Sequence, residues 1–399
     1  MSSPYRRLVA CGRLAAIPVV VIAAVTAGVS GASAHSAAIS PHELAQLKAF
    51  VAKAQTAPKW HAPGPAVNAK KALKGKKIVT FPISSEIDAC NLKGQQGYLD
   101  AEAKALGATV VPLNTNAGPP SWQSNLSTAL TDKANAVVML CGPAASAIVP
   151  QLQALAKAHI PVVDGNYNQI GGNPAFPLTN LSAESGVDTE GGVRTDLAQA
   201  LVNLKGQPAH ILFLNSPQVA QYTGATKSLK SAIHKWCPGT CTIEKEEDFG
   251  TQAWGSSQEE QTIASDLQSD SKINAVIVTF DGMSDVIVSV VQQAAASHPG
   301  LKLYAWGGGI AEIQTVHKNA IFAGDSGPDE RWDAYDQLDQ VIRLLAHKRA
   351  APVGKEVAPN IFFTKKNAKT FYNGDNYSDK AYSNGAFVKD FEKLWEVKK

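Results

Sequence analysis

The sequence predicts an α/β protein with two lobes, each built on a parallel β-sheet that helices cover on both faces. Short, continuously apolar segments, typical of buried parallel strands, alternate with longer segments that have apolar residues at helical spacing. This alternation occurs twice, over residues 76–164 and 184–323, and a glycine- and proline-rich stretch at 171–177 separates the two series. Two series of similar size predict two doubly wound lobes with one cleft between them.

The first series contains four predicted strands and three predicted helices. Apolar, mostly β-branched residues indicate strands at 78–83, 109–112, 136–140 and 160–163. Helical spacing of apolar residues indicates helices at 91–106, 121–132 and 144–158. Gly107 ends the first of these helices, as glycine commonly does.

The second series begins with a helix and continues with five strands. The predicted strands lie at 210–214, 242–248, 275–278, 301–305 and 320–323. The predicted helices lie at 184–204, 219–236, 257–269 and 284–296. A helix at 329–347, a strand near Ile361 and a terminal helix at 386–397 are expected beyond this series.

The first 34 residues have the pattern of an export signal. Three arginines precede an uncharged run at 14–34, which ends in Ala32-Ser33-Ala34, a small-residue cleavage site. An uncleaved membrane anchor is the alternative, because the run is nearly long enough to span a bilayer. Cleavage would make His35 the first residue and lower the formal net charge from +3 to about zero. No basic region then remains to indicate nucleic-acid binding.

Four cysteines follow the signal segment, and an even number in an exported protein favours disulfides. Cys237 and Cys241 enclose a short turn and form one expected pair. Cys90 and Cys141 follow the first and third predicted strands and can meet if those strands are neighbours. Unpaired cysteines in the cleft, or a redox or metal role, are the alternatives.

The loops at the carboxyl ends of the strands are the expected ligand site, because parallel α/β sheets bind ligands there. Acidic, amide and aromatic side chains concentrate in these loops: Glu86, Asp88, Asn91, Asn166, Tyr167, Asp248, Trp254, Asp281 and Trp306. They suit a neutral sugar or polyol, or a cation, by hydrogen bonding and ring stacking. A carboxylate or phosphate ligand would favour arginine, which is scarce here. Asp281 and Asp248 have the alternative role of helix caps.

The sequence contains no motif that predicts an enzyme. P-loop, G-x-S-x-G and H-E-x-x-H patterns are absent from the chain. We therefore expect no catalytic residues, no metal and no cofactor. A secreted hydrolase that uses Asp88 or Glu86 is a weaker alternative.

The order of the segments resembles the type I periplasmic binding proteins of bacterial ABC importers, in particular the ribose- and galactose-binding group. The resemblance covers residues 76–363 and rests on the first strand-loop-helix unit ending at Gly107 and on the segment around Ile160 to Val163. The segments 275–283 and 325–342 add to it. It implies two lobes joined by three crossings, near Thr179, Gly327 and Pro352.

The resemblance also implies which residues contact the ligand. They are Asp88, Cys90, Asn91, Asn166, Tyr167, Gln221, Tyr222, Phe280, Asp281 and Gly308, with Glu330 near the returning crossing. The pentose binders have an aromatic pair in place of Cys90-Asn91, an arginine in place of Tyr167 and an aspartate in place of Gly308. These differences make a simple pentose an unsuitable ligand.

The expected organisation is a signal peptide (1–34), an N-terminal extension (35–75), a first lobe (76–180 and 327–352), a second lobe (181–326 and 353–380) and a C-terminal helix (381–399). In the extension, a helix at 41–54 precedes a proline-rich stretch that either tethers the protein or packs through Trp60. The expected function is that of an exported, monomeric receptor in the periplasm or on the outer face of the cell membrane, delivering a small ligand to an ABC permease. A ligand sensor for a membrane signalling protein is the alternative.

Overall fold

The computed structural model describes residues 39–397 apart from 84–89, 91–93, 116–118, 144, 169–180, 218, 353 and 372–380. The predicted signal segment lies outside these residues. The strands are β1 (Lys77–Phe81), β2 (Thr109–Pro112), β3 (Ala136–Met139), β4 (Val162–Asn168), β5 (Ala183–Val187), β6 (His210–Asn215), β7 (Thr242–Asp248), β8 (Ala275–Val278), β9 (Lys302–Trp306), β10 (Phe322–Gly327), β11 (Val357–Ala358) and β12 (Ile361–Phe363).

The helices of the described residues surround these strands. They are α1 (Pro41–Ala54), α2 (Ala69–Leu73), α3 (Gln95–Ala105), α4 (Pro119–Thr131), α5 (Val149–Lys157), α6 (Thr189–Asn203), α7 (Ala225–Trp236), α8 (Ser257–Ser269), α9 (Ser284–Ala294), α10 (Ile310–Lys318), α11 (Glu330–Leu345), α12 (Lys365–Phe371) and α13 (Ala386–Leu394). Of these, α2, α10 and α12 were not predicted from the sequence.

The strands form two six-stranded sheets with the same internal order, which confirms the predicted two-lobed α/β fold. Sheet 1 has the order β2-β1-β3-β4-β5-β11, and sheet 2 has the order β7-β6-β8-β9-β10-β12. The strand pairs are parallel except for β10 with β12, which are antiparallel. The central strands β3 and β8 are completely buried, as expected for strands with helices on both sides.

Three segments pass from one sheet to the other. The first follows β5 at Asp188, the second follows β10 at Pro328, and the third joins β11 to β12 through Asn360. The second crossing lies where the sequence predicts it, beside Gly327.

The other two crossings lie later in the chain than predicted. Residues 184–187 were expected to begin a helix, but Ala183–Val187 is a buried strand that pairs with β4 and β11. The first crossing is therefore at Asp188 and not near Thr179. Because Val357–Ala358 also belongs to sheet 1, the third crossing follows it and does not lie near Pro352. Sheet pairing overrides local propensity in both short strands.

The C-terminal helix packs on the first lobe. The rings of Phe387 in α13 and Trp332 in α11 stack with their centroids 4.7 Å apart. Trp395 donates a hydrogen bond from Nε1 to Asp339 of α11 over 2.7 Å. Residues 381–397 thus complete the core around α11.

The N-terminal extension contacts both lobes. Leu47 and Val51 of α1 are buried in the same apolar cluster as residues of α6, in the second lobe. Trp60 lies 5.4 Å from the Phe391 ring, between centroids, and the Val67 amide donates to the carbonyl of Leu394. These contacts favour packing over a free tether. No helix in the described part of the chain has the length and apolar character needed to span a membrane.

Candidate functional site

The strand order locates a crevice at the carboxyl edge of each sheet. In sheet 1, β2 lies on one side of β1 and the next strand in the chain, β3, lies on the other side, so the strand order reverses at β1. Strands β7 and β8 flank β6 in the same way in sheet 2. Ligands of open α/β sheets bind at such reversal points. Cα atoms of β4 lie within 8 Å of the turn Ala220–Tyr222 that follows β6. The carboxyl edges of the two sheets therefore face each other.

Cys90 and Cys141 lie at the reversal point of sheet 1. Because β1 and β3 are neighbours, the two residues come to disulfide distance, with their Cα atoms 6.0 Å apart. Cys237 and Cys241 also lie at disulfide distance, at the end of α7. The first pair joins two strand ends at the edge that faces the second lobe.

Four predicted contact residues of the first lobe cannot be placed in full. Asp88 and Asn91 lie outside the described residues. The backbone of Asn166 and Tyr167 belongs to the end of β4, whereas their side chains lie outside the described part of the structure.

The second lobe contributes a cluster of four rings, which we call the aromatic wall: Tyr222, Trp254, Phe280 and Trp306. Tyr222 is central, since its centroid lies 6.1 to 6.4 Å from each of the other three rings. Trp254 and Phe280 are 4.5 Å apart. The predicted contact Gln221 donates a hydrogen bond of 2.6 Å from Nε2 to the Tyr222 hydroxyl. The structure thus brings together five residues that sequence reasoning proposed separately.

Ser216 fixes the orientation of Trp254. The indole Nε1 donates to Ser216 Oγ over 2.8 Å, and this hydroxyl donates to the carbonyl of Phe249 over 2.7 Å. Since its N–H is used, the half-buried indole offers its ring surface and not a hydrogen bond to a ligand. Sequence reasoning missed Ser216, although it directly follows strand β6 and so occupies an expected position.

Asp281 has a structural role beneath the aromatic wall. It is 3% exposed, and its Oδ2 accepts the amide hydrogen of Gly309, which precedes α10, over 2.6 Å. Asp281 thus satisfies the backbone donor of the residue before α10, and its predicted contact with a ligand stays a prediction.

Several buried carboxyl groups lie close to one another in the second lobe. Burial raises the pKa of the Asp325 carboxyl well above its ordinary value. Three neighbouring carboxyl groups raise this pKa further: Asp281, Glu312 and Asp196. Burial and the neighbouring like charges thus both oppose ionisation of Asp325.

A buried carboxyl also supports the first-lobe edge. Asp164 of β4 is completely buried, and its pKa is raised well above the ordinary value by desolvation and then by the charge of Glu184. The nearby backbone of Gly142 lowers this pKa in part. Asp164 thus lies against the loop that carries Cys141.

The remaining predicted contact, Glu330, is half-buried in the first turn of α11, after the second crossing. Three of the arginines have other partners. Arg343 is buried against Asp339, Arg331 lies over the rings of Tyr98 and Tyr335, and Arg194 donates to Ser228. In the described residues, no group of three or more histidine, cysteine, aspartate or glutamate side chains is arranged to hold a metal ion.

The fold matches many solved structures, although neither family models nor curated proteins match the sequence. A 5-methylthioribose transporter solute-binding protein from Thermotoga lettingae, in complex with 5-methylthioribose, has a TM-score of 0.65 at 14% identity; the match covers 82% of this chain and 99% of that one. The chain has the type I periplasmic binding protein fold. The resemblance seen in the sequence is confirmed at the level of the fold.

Two further structures show the same fold with other ligands. A periplasmic solute-binding protein from Actinobacillus succinogenes with bound D-allose has a TM-score of 0.61 and 15% identity, covering 74% of this chain and 100% of that one. A solute-binding protein from Bacillus halodurans with bound myo-inositol has a TM-score of 0.60 and 14% identity, covering 75% and 98%. At such identities, these similarities show the fold and not the ligand.

Proposed function

We propose that the protein is an exported, non-enzymatic receptor that closes its two lobes on a small, polar, uncharged solute and delivers it to an ABC permease. The observation that carries this proposal is the pair of matching sheets whose carboxyl edges face each other. Three crossings join the lobes, so the cleft can open and close around them. The similarity in fold to solute-binding proteins of ABC transporters supports the same function.

The ligand class follows from the side chains at the cleft. Aromatic faces stack on the apolar faces of sugars and cyclic polyols, and the aromatic wall lies at the carboxyl edge of sheet 2. Trp254 is the partly exposed ring of this wall, and the buried rings of Tyr222, Phe280 and Trp306 support it. Arg343, Arg194 and Arg331 are engaged with other partners, so an anionic ligand is disfavoured. We therefore infer a sugar or polyol. A cation is less consistent with the matched structures, whose bound ligands are allose, inositol and methylthioribose.

A thermal-shift screen tests this function. The panel contains D-allose, myo-inositol, allitol and 5-methylthioribose, with citrate and phosphate as anionic comparisons. We expect at least one neutral compound to raise the melting temperature, because a ligand that binds the folded state stabilises it by mass action. Saturating binding of an anion with no response to neutral compounds would contradict the proposed ligand class.

Two tryptophan variants locate the binding site. Trp254→Ala removes a ring of the aromatic wall and is expected to weaken binding of the active compound by about 2- to 10-fold, the effect of losing a stacked ring. Trp236→Ala is the matched control, since Trp236 pairs with Phe50 on α1, outside the aromatic wall, with ring centroids 5.5 Å apart. Equal affinity of Trp254→Ala and the parent would exclude the aromatic wall as the binding surface.

A further inference from the structure

Trp306 belongs both to the aromatic wall and to the junction of the three crossings. Its ring centroid lies 6.1 Å from that of Tyr222, and its indole is 3% exposed. On its other side it contacts the first residues of α6, immediately after the first crossing. A side chain at Gly192 would collide with the Trp306 ring and with the hydroxyl of Ser326.

The second crossing reaches the same point. The amide of Gly307 donates a hydrogen bond of 2.7 Å to the carbonyl of Ser326, near the end of β10. Gly327 approaches the backbone of Gly307 so closely that a side chain there would collide with it. The step from Trp306 to Gly307 is therefore packed directly against the segment that returns to the first lobe.

Asn360 completes the junction from the third crossing. The Trp306 Nε1 donates to Asn360 Oδ1 over 3.2 Å, and Asn360 Nδ2 donates to the carbonyl of Asp188 over 2.6 Å. Asp188 is the residue of the first crossing. One amide thus bridges the first and third crossings and a ring of the aromatic wall.

The chemistry of these partners selects an amide at position 360. An indole N–H only donates and a main-chain carbonyl only accepts, so the bridging side chain must supply one acceptor and one donor. An aspartate of the same shape would keep the acceptor and place a carboxylate against a carbonyl oxygen. A leucine of similar size would leave both partners unsatisfied.

We propose that Asn360 is a positioning residue for ligand binding, which holds Trp306 against the crossings so that the aromatic wall and the hinge move together. It acts through Trp306, and its effect on affinity rests on the proposed function. The consequence is that ligand affinity depends on a side chain in a connecting segment between the lobes.

The test combines a ligand-free measurement with a binding measurement. Protein labelled with 5-fluorotryptophan gives a ¹⁹F resonance for each of the seven tryptophans, and Trp306→Phe identifies that of Trp306. Asn360→Leu is expected to shift or broaden this resonance and to lower the affinity for D-allose or myo-inositol on the order of 10-fold. Asn360→Asp, which retains the acceptor for the indole, is expected to displace the resonance less and still to weaken binding.

Asn274 provides a matched control. Its Oδ1 accepts from the amide of His210 over 2.9 Å, and its Nδ2 donates to the carbonyl of Pro208 over 3.0 Å, at the amino end of sheet 2. Asn274→Leu therefore removes an equivalent bridge away from the crossings. It is expected to leave the Trp306 resonance and the affinity unchanged.

The outcomes separate this inference from the proposed function. An unchanged Trp306 resonance in Asn360→Leu overturns the inference, whatever the ligand. A shifted Trp306 resonance with unchanged ligand affinity also overturns it, because the position of Trp306 would then not affect binding. A parent protein that binds neither probe counts against the proposed function alone, and the resonance still decides whether Asn360 positions Trp306.

Discussion

Short polar side chains hold the larger groups of the candidate site in place. Ser216 fixes the indole of Trp254, Asn360 fixes that of Trp306, and Asp281 fixes the start of α10. Each makes a hydrogen bond that an apolar residue of the same size cannot make. Because such buried groups are costly to leave unpaired, a substitution at these positions affects the folded protein as well as its ligand.

At Asp281 this reasoning predicts an effect on stability in the absence of ligand. Asp281→Ala should lower the free energy of unfolding by about 1–2 kcal/mol, because the Gly309 amide loses its acceptor. Asp281→Asn keeps an acceptor for this amide, so its free energy of unfolding should fall by less. Denaturant titration of the three proteins measures the difference. Full stability of Asp281→Ala would indicate that the carboxylate serves the ligand and not the helix.

At the scale of single elements, α11 carries a row of buried acidic residues into the first lobe. Asp333 accepts a hydrogen bond from Gln95 of α3, and its pKa is raised to about 8, chiefly by desolvation. Asp336 on the same helix and Glu356 beside β11 also have raised pKa values, mainly because of burial. Burial thus opposes ionisation of all three groups, and Asp333 is the one whose pKa of about 8 defines a pH range.

Stability should consequently fall with increasing pH. The folded protein binds the Asp333 proton more tightly than the unfolded chain, so this contribution is complete below pH ~4 and is lost as the pH rises through about 8. The expected loss is up to about 1.4 kcal/mol per pH unit. Asp333→Asn should have a flatter profile between pH 5 and 8.

Denaturation curves measured across this pH range give the comparison. Exposed Asp132 on the surface of the first lobe is the control, and Asp132→Asn should retain the profile of the parent. Identical profiles for Asp333→Asn and the parent would show that Asp333 is ionised in the folded protein.

The two cysteine pairs should stabilise the protein unequally. Cys90 and Cys141 are 51 residues apart in sequence, whereas Cys237 and Cys241 are 4 apart. In the chain-entropy description, a disulfide stabilises the folded protein by restricting the unfolded chain, by roughly 4 kcal/mol for the first pair and roughly 2 kcal/mol for the second. Replacing the first pair with alanines should therefore lower the free energy of unfolding more. Alkylation of Cys90 and Cys141 in denatured, unreduced protein would show that they are not joined.

At the scale of the whole molecule, the N-terminal extension adds a connection between the lobes to the three crossings. Helix α1 is anchored on the second lobe, and the segment after it reaches the first lobe at Arg343, whose Nη1 donates to the carbonyl of Pro65 over 3.0 Å. This segment must follow or limit any change in the angle between the lobes. The extension is thus part of the folded protein.

Substitutions in α1 test whether the N-terminal extension is packed into the folded protein. Leu47 is 3% exposed and Phe50 is 39% exposed. Leu47→Ala should lower the free energy of unfolding by about 2–3 kcal/mol through loss of buried contacts, and Phe50→Ala by less than about 1 kcal/mol. Leu47→Ala should also speed proteolysis between residues 55 and 59. Equal stability of parent and Leu47→Ala would favour a free tether.

The sequence by itself determined the α/β class and the two lobes, and it predicted the edge at which a ligand site is expected. Continuous apolar strands such as Ala275–Val278 and helical periodicity in α8 are local signals, and a parallel sheet directs its strand ends to one edge. Candidate residues such as Tyr222 and Trp254 were found because they follow strands in the chain.

Only the tertiary structure decided how these residues meet and what holds them. Strand Ala183–Val187 is specified by its neighbours β4 and β11, so its own composition could not distinguish it from the start of a helix. Trp306 and Asn360 are 54 residues apart, and their hydrogen bond depends on three crossings that converge in space. Pairing and burial between distant segments leave no local periodicity, and for that physical reason the junction was not visible in the sequence.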